Sequence, residues 1–485
     1  MRYLLTVFWS VLLMFTLVAK DKKEELYNEK YRPQFHFTPE KNWHNDPNGL
    51  VYYDGEYHLF YQYNPKGTEW GYMHWGHAVS NDLVRWQHLP VAIYPDNNSE
   101  DKELCTAFSG SAIVDEHNLL KKQKGDIKTL VAFYTSQKCG QRIAYSTDKG
   151  RTWEKWENNP VIPFDEKDDA RDPKVFWHNE SRRWVMVLYR KNTVSDSSKG
   201  ISFYTSEDLV NWQWKSHIDG FYECPDLVKL KVTNRPDEYK WVLFDGDGSY
   251  LIGSFDGEKF TPETSKMKSD FGANYYATQT WSNIPENDGR TIQIAWMRGG
   301  DFPEMPFKGQ MSFPCELSVT KFSFGYKLMR TPIKELEKIH GKQYSWENKI
   351  LIPGINENKT KNVDSDCLHI KGEFDLKTSD SFGFIIRHSK KIPGTEILYS
   401  VKRGTLSVLG TTVPLPAVNN KITLEILVDR SSIEIFANGG QTVISNCFFP
   451  ADGKEIVLFT YGGELGVEKL DLYELKSIWE PEKKK

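Results

Sequence analysis

From about residue 50 to residue 320, short apolar runs alternate with clusters of Gly, Asn, Asp and Pro. The runs at 50–53, 57–61, 129–134, 142–146, 184–189, 201–205, 240–244, 250–255 and 291–296 are rich in branched and aromatic residues and bounded by turn formers, which predicts β-strands. Helical periodicity is nearly absent there, so the pattern predicts an all-β architecture.

A degenerate repeat runs through this region. Ser80-Asn-Asp-Leu-Val-Arg-Trp86, Ser146-Thr-Asp-Lys-Gly-Arg-Thr-Trp153, Ser206-Glu-Asp-Leu-Val-Asn-Trp212 and the looser Ser254-Phe-Asp-Gly-Glu-Lys-Phe260 each join a strand end, an Asp turn and an aromatic. Their starts lie 66, 60 and 48 residues apart, a spacing that suits four-stranded propeller blades with variable loops. After Arg330 the pattern changes. Thr331 reads as a helix cap and Pro332 as a first helical position, with Ile333, Leu336 and Ile339 three residues apart, which predicts a short helical linker at 331–342. Alternating strands return over 343–479, at 382–387, 422–428, 433–436 and 455–461. Their regular spacing without the blade repeat predicts a β-sandwich.

Composition narrows the ligand. Lys+Arg 62 against Asp+Glu 66 leaves a formal charge of −4, which offers no field for a polyanion and argues against nucleic acid. Aromatic residues reach 14%, with 16 Trp, 24 Tyr and 27 Phe. Such rings fill β-rich cores, and their apolar faces also suit the C–H faces of sugars.

The N-terminus addresses the compartment. Met1-Arg2, an uncharged run at 3–18 and Ala19 before a charged stretch predict a secretory signal peptide at 1–19 and an extracellular protein free of the membrane after cleavage; a membrane anchor is the alternative, disfavoured because the run is shorter than the about 18 residues of a spanning helix. Sequons at Asn97, Asn179 and Asn358 fit glycosylation of a secreted chain. Six cysteines show no C-x-x-C pair and no close Cys/His cluster, so no zinc or redox centre is expected; Cys105 with Cys139 is a disulfide candidate.

Three acids share an unusual setting. Asp46 and Asp172 each precede a proline, and Glu223 lies two residues before Pro225, in Asn42-Trp-His-Asn-Asp-Pro-Asn-Gly49, Ala170-Arg-Asp-Pro-Lys174 and Tyr222-Glu-Cys-Pro-Asp-Leu227. Proline removes a backbone donor and disfavours helical geometry in the preceding residue, so Asp46 and Asp172 are expected in extended backbone at strand ends. Each run belongs to a different blade, and inner strands of a propeller converge on one axis, where the three acids meet.

With these runs in view, a resemblance emerges. Phe35-His-Phe-Thr-Pro-Glu-Lys-Asn-Trp-His-Asn-Asp-Pro-Asn-Gly49, Tyr61-Gln-Tyr-Asn-Pro65, Trp75-Gly-His77, Phe108-Ser-Gly-Ser111, Arg171-Asp-Pro173 and Glu223-Cys-Pro225 occur in this order. The set resembles glycoside hydrolase family 32, the invertase, inulinase and levanase β-fructosidases. Asp429-Arg-Ser-Ser-Ile-Glu-Ile-Phe-Ala-Asn438 is similar to the family's C-terminal sandwich. The resemblance implies a five-bladed propeller over 30–330 followed by the sandwich, with Asp46 as nucleophile, Glu223 as general acid/base and Asp172 as transition-state stabiliser. It implies a sugar substrate, sucrose first, and no metal or organic cofactor.

The chemistry agrees with those roles. A retaining glycosidase needs one ionised carboxylate to attack and one protonated carboxyl to release the leaving oxygen. Asp46 between Asn45 and Asn48 suits the first, Glu223 among other carboxylates the second, and Asp172 beside Arg171 is expected to stay charged. Trp43, Trp70, Phe108 and Trp296 could be core aromatics, but the resemblance implies an apolar rim around the sugar pocket at the first three, with Trp296 a further candidate; Asn45, Gln62, Ser109 and Arg171 are expected to bind sugar hydroxyls. The sandwich reads as a stabilising partner. His44 and Asn274 depart from the family pattern, and His44 is a candidate titrating group near Asp46. Rival readings are an inulinase, levanase or fructosyltransferase of the same fold, an inverting glycosidase on a similar propeller, and a non-catalytic sugar-binding relative.

Overall fold

The computed structural model describes residues 26–97, 101–191, 199–354 and 363–479. The expected signal peptide, the Asn358 sequon and the Lys-rich tail lie outside the described residues. The only helical element among the described residues is one short turn of 3-10 helix.

Residues 42–332 fold into five sheets built mainly of successive antiparallel strands, with Phe307–Lys308 added in parallel at the edge of the first. Their first strands are Asn42–Tyr53, Ala107–Asp115, Arg171–His178, Asp226–Lys231 and Tyr276–Thr280. These five stand around one axis. Asn42–Tyr53 packs against Ala107–Asp115 and Tyr276–Thr280, Ala107–Asp115 against Arg171–His178, and Asp226–Lys231 against Tyr276–Thr280. The ring closes through Lys174, whose Nζ lies 3.2 Å from Asp226 Oδ1 and donates to Thr280 O at 2.8 Å.

Apolar clusters fill each gap between consecutive sheets. Val51, Phe60 and Trp75 of the first sheet meet Ala112, Leu130 and Ala132 of the second. Val131, Phe133 and Ile143 meet Val175, Met186 and Leu188. Val185, Val187 and Phe203 meet Leu227, Leu243 and Leu251; Val242, Phe244 and Ile252 meet Leu317 and Val319; Ile292 and Ile294 return to Leu50 and Leu59. Every sheet is therefore covered on both faces, which explains why middle strands such as Thr129–Ser136 read as continuous apolar runs. The short strand Phe307–Lys308 pairs in parallel with Asn42–Tyr53 and ties the end of the ring to its start.

The Ser/Asp repeat marks the turn from third to fourth strand. Asp82, Asp148, Asp208 and Asp256 accept backbone N–H bonds from residues two to four positions ahead, and Ser80, Ser146 and Ser206 hydroxyls bond the first three. The repeat is thus one side-chain-supported turn used four times.

The linker differs from its expectation. Thr331 and Pro332 belong to the strand Gly325–Pro332, pairing with Glu316 and Cys315, and neither caps nor starts a helix. The helical part is the 3-10 turn Lys334–Ile339, with Ile333 at its N-cap and no side-chain cap bond. Apolar residues at 333, 336 and 339 match three residues per turn, the 3-10 period, and place all three in one buried stripe. The next strand begins at His340, three residues earlier than expected.

Two sheets follow, one of six strands from His340–Leu351 to Leu465–Leu475 and one of five including Ser381–His388 and Glu455–Tyr461. Inward residues such as Ile370, Phe374, Phe384, Ile397, Leu424, Ile426 and Leu472 form their common core. This sandwich is joined to the ring by a buried polar network. His36 bonds Asp429 at 2.8 Å and Glu434 at 2.7 Å; Arg330 pairs with Asp270, and Ser445 Oγ donates to Asp270 at 2.6 Å. The two carboxylates outweigh burial and raise the His36 pKa to about 9, so it is a buried cation at neutral pH.

Candidate active site

Four of the five inner strands are interrupted at the same level. Opposite Gln62 lie two residues, Asn45 and Asp46; opposite Thr135 lie Phe108 and Ser109; opposite Leu188 lie Asp172 and Pro173; opposite Ala295 lie Ala277 and Thr278. Each is a β-bulge, which re-aims a side chain by breaking the two-residue alternation. Proline accounts for two of them, since Pro47 and Pro173 supply no N–H to a ladder. The expectation of extended backbone fails at Asp172, whose φ is +64°; Glu223 and Cys224, on the loop before Asp226–Lys231, also sit at +58° and +41°. Each such residue costs about 1 kcal/mol or more, borne by the surrounding packing.

The bulges open into one cavity of about 580 Å³. All eleven residues singled out for catalysis or sugar binding line it: Trp43, Asn45, Asp46, Gln62, Trp70, Phe108, Ser109, Arg171, Asp172, Glu223 and Trp296. Trp43 and Trp296 meet edge to face at 5.9 Å, and Trp70, 40% exposed, meets Phe108 at 6.0 Å. Trp43 Nε1 donates to Asn45 Oδ1 at 2.8 Å, and Gln62 Nε2 donates to Ala107 O at 2.9 Å.

The acids gather around Cys224. Its Sγ lies 3.6 Å from Asp46 Oδ2 and 3.5 Å from Asp172 Oδ2, and its N–H donates to Asp172 Oδ2 at 3.0 Å. Ser109 Oγ donates to Asp46 Oδ2 at 2.6 Å. Arg171 Nη2 donates to Glu223 Oε1 at 3.2 Å, and Tyr276 OH donates to Glu223 Oε2 at 3.2 Å. Asp172, Glu223 and Cys224 bring ligand atoms within 4.8 Å of one another, the one such cluster among the described residues. A guanidinium already stands there as counter-charge, with Arg171 Nε 3.9 Å from Asp172.

Burial raises the pKa of Asp46 above the ordinary carboxylate value, opposed by its bonds from Ser109 and Asn45. Asp172 does not stay an ordinary charged acid: burial outweighs Arg171, and with the charges of Glu223 and Asp46 it pushes the pKa up to about 7. His44 is not a titrating neighbour. It is fully buried, and burial lowers its pKa to about 3, so it stays neutral. It packs under Gly309, where a Cβ would lie 2.4 Å from His44 Cδ2 and where φ is +109°. Asn274 does not line the cavity; it donates to Arg298 O and accepts from Cys447 N, linking the rim to the sandwich.

Sequence reasoning missed Tyr276, Cys224, Tyr222 and Arg298. Cys224 lies inside a quoted motif, but its thiol contacts depend on strands that meet only in the fold. Tyr276 follows an apolar-looking Tyr275 and carries no local signal. The Cys105–Cys139 disulfide is formed, tethering the segment entering Ala107–Asp115 beside the cavity. Asn179 is exposed and Asn97 half-buried.

Comparison with known proteins agrees with this geometry. Residues 36–332 match the glycosyl hydrolases family 32 N-terminal domain and residues 335–474 the family 32 C-terminal domain. A levanase of Bacillus subtilis (strain 168) is 40% identical, covering 97% of this chain and 75% of its own length. An extracellular exo-inulinase of Aspergillus awamori is 32% identical, covering 93% and 96%. The crystal structure of the Aspergillus awamori exo-inulinase superposes with a TM-score of 0.84 at 30% identity, over 93% of this chain and 100% of that one. A fructofuranosidase of Schwanniomyces occidentalis complexed with fructose gives 0.78 at 27% identity, over 93% and 99%. Two domains matched in order, on an all-β ring joined to a sandwich with a carboxylate-lined cavity, make this chain a member of glycoside hydrolase family 32.

Proposed function

We propose that the protein removes terminal β-D-fructofuranosyl residues with retention, through a fructosyl-enzyme at Asp46. The observation that carries this reading is the convergence of Asp46 and Asp172, from two inner strands, and Glu223, from the loop entering a third, on one cavity. Asp46, with one oxygen held by Ser109, attacks the anomeric carbon of fructose. Glu223, which accepts from Arg171 and Tyr276, protonates the departing glycosidic oxygen and then takes a proton from the incoming water. Asp172 accepts bonds from fructosyl hydroxyls while positive charge develops on the ring. Trp43, Phe108 and Trp296 cover the apolar face of the sugar, and Asn45 and Gln62 meet its hydroxyls.

Sucrose presents the required terminal fructosyl group and is the substrate the sequence reading favours. The levanase and exo-inulinase relatives favour a second reading in which levan or inulin is degraded from its end. We place the protein outside the cell, on the N-terminal apolar run, the disulfide and the extracellular relative.

Two measurements test the reading. NMR of the first-formed fructose anomer must show retention, and an inverted product overturns the Asp46 mechanism. A product profile on sucrose, inulin and levan ranks the substrates, and oligosaccharides exceeding free fructose at low sucrose would make the protein a transferase.

A further inference from the structure

The loop that carries Glu223 is held by a pair of residues outside the cavity. Asp245, at the end of Tyr239–Phe244, is 5% exposed, and its Oδ1 accepts the N–H of Tyr222 at 2.8 Å and of Gly246 at 2.8 Å. Its Oδ2 pairs with Lys266 Nζ, which also donates to Gly220 O at 2.7 Å. Lys266 lies over the Phe221 ring at 4.4 Å. One ion pair therefore grips the backbone at 220 and 222, on the N-terminal side of Glu223.

The same turn reaches the other neighbour of Glu223. Gly246 N donates to Tyr222 O at 3.3 Å, and Gly246 O accepts from Ala277 N at 2.6 Å, beside Tyr276. A Cβ on Gly246 would lie 2.8 Å from Tyr222 O, 3.2 Å from Tyr276 OH and 3.3 Å from Glu223 O, so only glycine fits between the two loops. Glu223 and Cys224 hold positive φ, a conformation that a free loop leaves readily. Neither Asp245 nor Lys266 lines the cavity.

We propose that Asp245, with Lys266, is a positioning residue that fixes the strained Glu223 loop and thereby aims the proton donor, without touching substrate. This rests on the assignment of Glu223 as general acid. If it is right, loosening the clamp slows the two proton transfers of Glu223, to the departing oxygen and from the incoming water, and spares formation of the fructosyl-enzyme from a substrate whose leaving group needs no proton. Binding by Trp43, Asn45 and Gln62 stays, and attack by Asp46 stays.

The test compares sucrose with a nitrophenyl β-D-fructofuranoside, whose leaving group departs without protonation. Asp245→Ala is expected to lower kcat on sucrose by about 10- to 100-fold, since a misplacement near 1 Å costs on that order, with KM changed less than about 3-fold. On the nitrophenyl substrate kcat/KM, which reports formation of the fructosyl-enzyme alone, should fall less than about 3-fold. Asp245→Asn, which retains the acceptor for Tyr222 N, should recover most of the sucrose activity. Lys266→Met, at a partly exposed position, should show the same contrast at smaller size and covers the case in which Asp245→Ala fails to fold. Equal losses of kcat/KM on both substrates, or lowered thermal stability with kcat on sucrose intact, overturn the proposal. Glu223→Gln is run alongside. If it shows the substrate contrast and neither clamp variant does, only the positioning role falls; if Glu223→Gln lacks the contrast, the acid assignment and the clamp fall together.

Discussion

Replacing Asp172 by Asn should inactivate the protein and yet stabilise it at alkaline pH. Asp172 is buried, and its pKa is raised from the ordinary 3.8 to about 7. The folded state therefore disfavours the charged form, and this group's contribution to stability falls as pH rises from about 4 through about 7. At about 1.4 kcal/mol per pKa unit, the rise sets an upper bound of about 4 kcal/mol well above pH 7. Part of the rise comes from the neighbouring charges of Glu223 and Asp46, so about 2 to 4 kcal/mol is expected. Asn keeps an acceptor for Cys224 N, and Arg171 keeps Asp169 and Glu223 as partners, so little else is lost. Thermal melts of both proteins between pH 4 and pH 8.5 read the effect. The variant should melt about 3 to 6 °C higher at the alkaline end, with the gap closing toward pH 4. Its kcat should fall by about 100-fold or more on every fructoside, through loss of a charge that stabilises the transition state. A gap that is constant with pH, or a variant less stable at pH 8.5, would refute the burial argument.

Ser109→Ala removes the 2.6 Å bond to Asp46, so kcat/KM should drop about 10-fold and its acid limb should move to higher pH, read from pH–rate profiles. Glu434→Ala leaves the His36 cation with one carboxylate and Phe313 N without its acceptor, and should destabilise by about 3 to 5 kcal/mol in denaturant melts. Reduction of Cys105–Cys139, which closes a loop with a sequence separation of 34, should lower stability by about 3 kcal/mol, measured with and without reductant. Activity should be unchanged in EDTA, because Arg171 supplies the counter-charge to Glu223 and Asp172; metal dependence would contradict that role.

Much of the fold was legible because its signals are local. Branched and aromatic runs between turn formers declare strands, and the Ser/Asp repeat declares one recurring turn, each within ten residues of chain. Asp46, Asp172 and Glu223 were legible as candidates because each sits in a short motif with a proline one or two residues on, and the motifs occur in the order that the family resemblance requires. The linker was misread at its edges because Thr and Pro signal a helix start only where the chain leaves its sheet, and here pairing with Glu316 and Cys315 continues through them.

The chain alone thus determined the all-β class, the order of its parts and three candidate acids that line one cavity, all properties of residue type and short spacing. Tertiary structure decided how those acids behave. The bulge opposite Leu188, the positive φ of Glu223, the thiol of Cys224 between two carboxylates and the Asp245–Lys266 grip join segments separated by tens to more than a hundred residues. So does the elevated pKa of Asp172, which sequence proximity to Arg171 pointed the wrong way. Electrostatics depends on burial and on every charge within a few ångströms, and neither exists until the five sheets close around their axis.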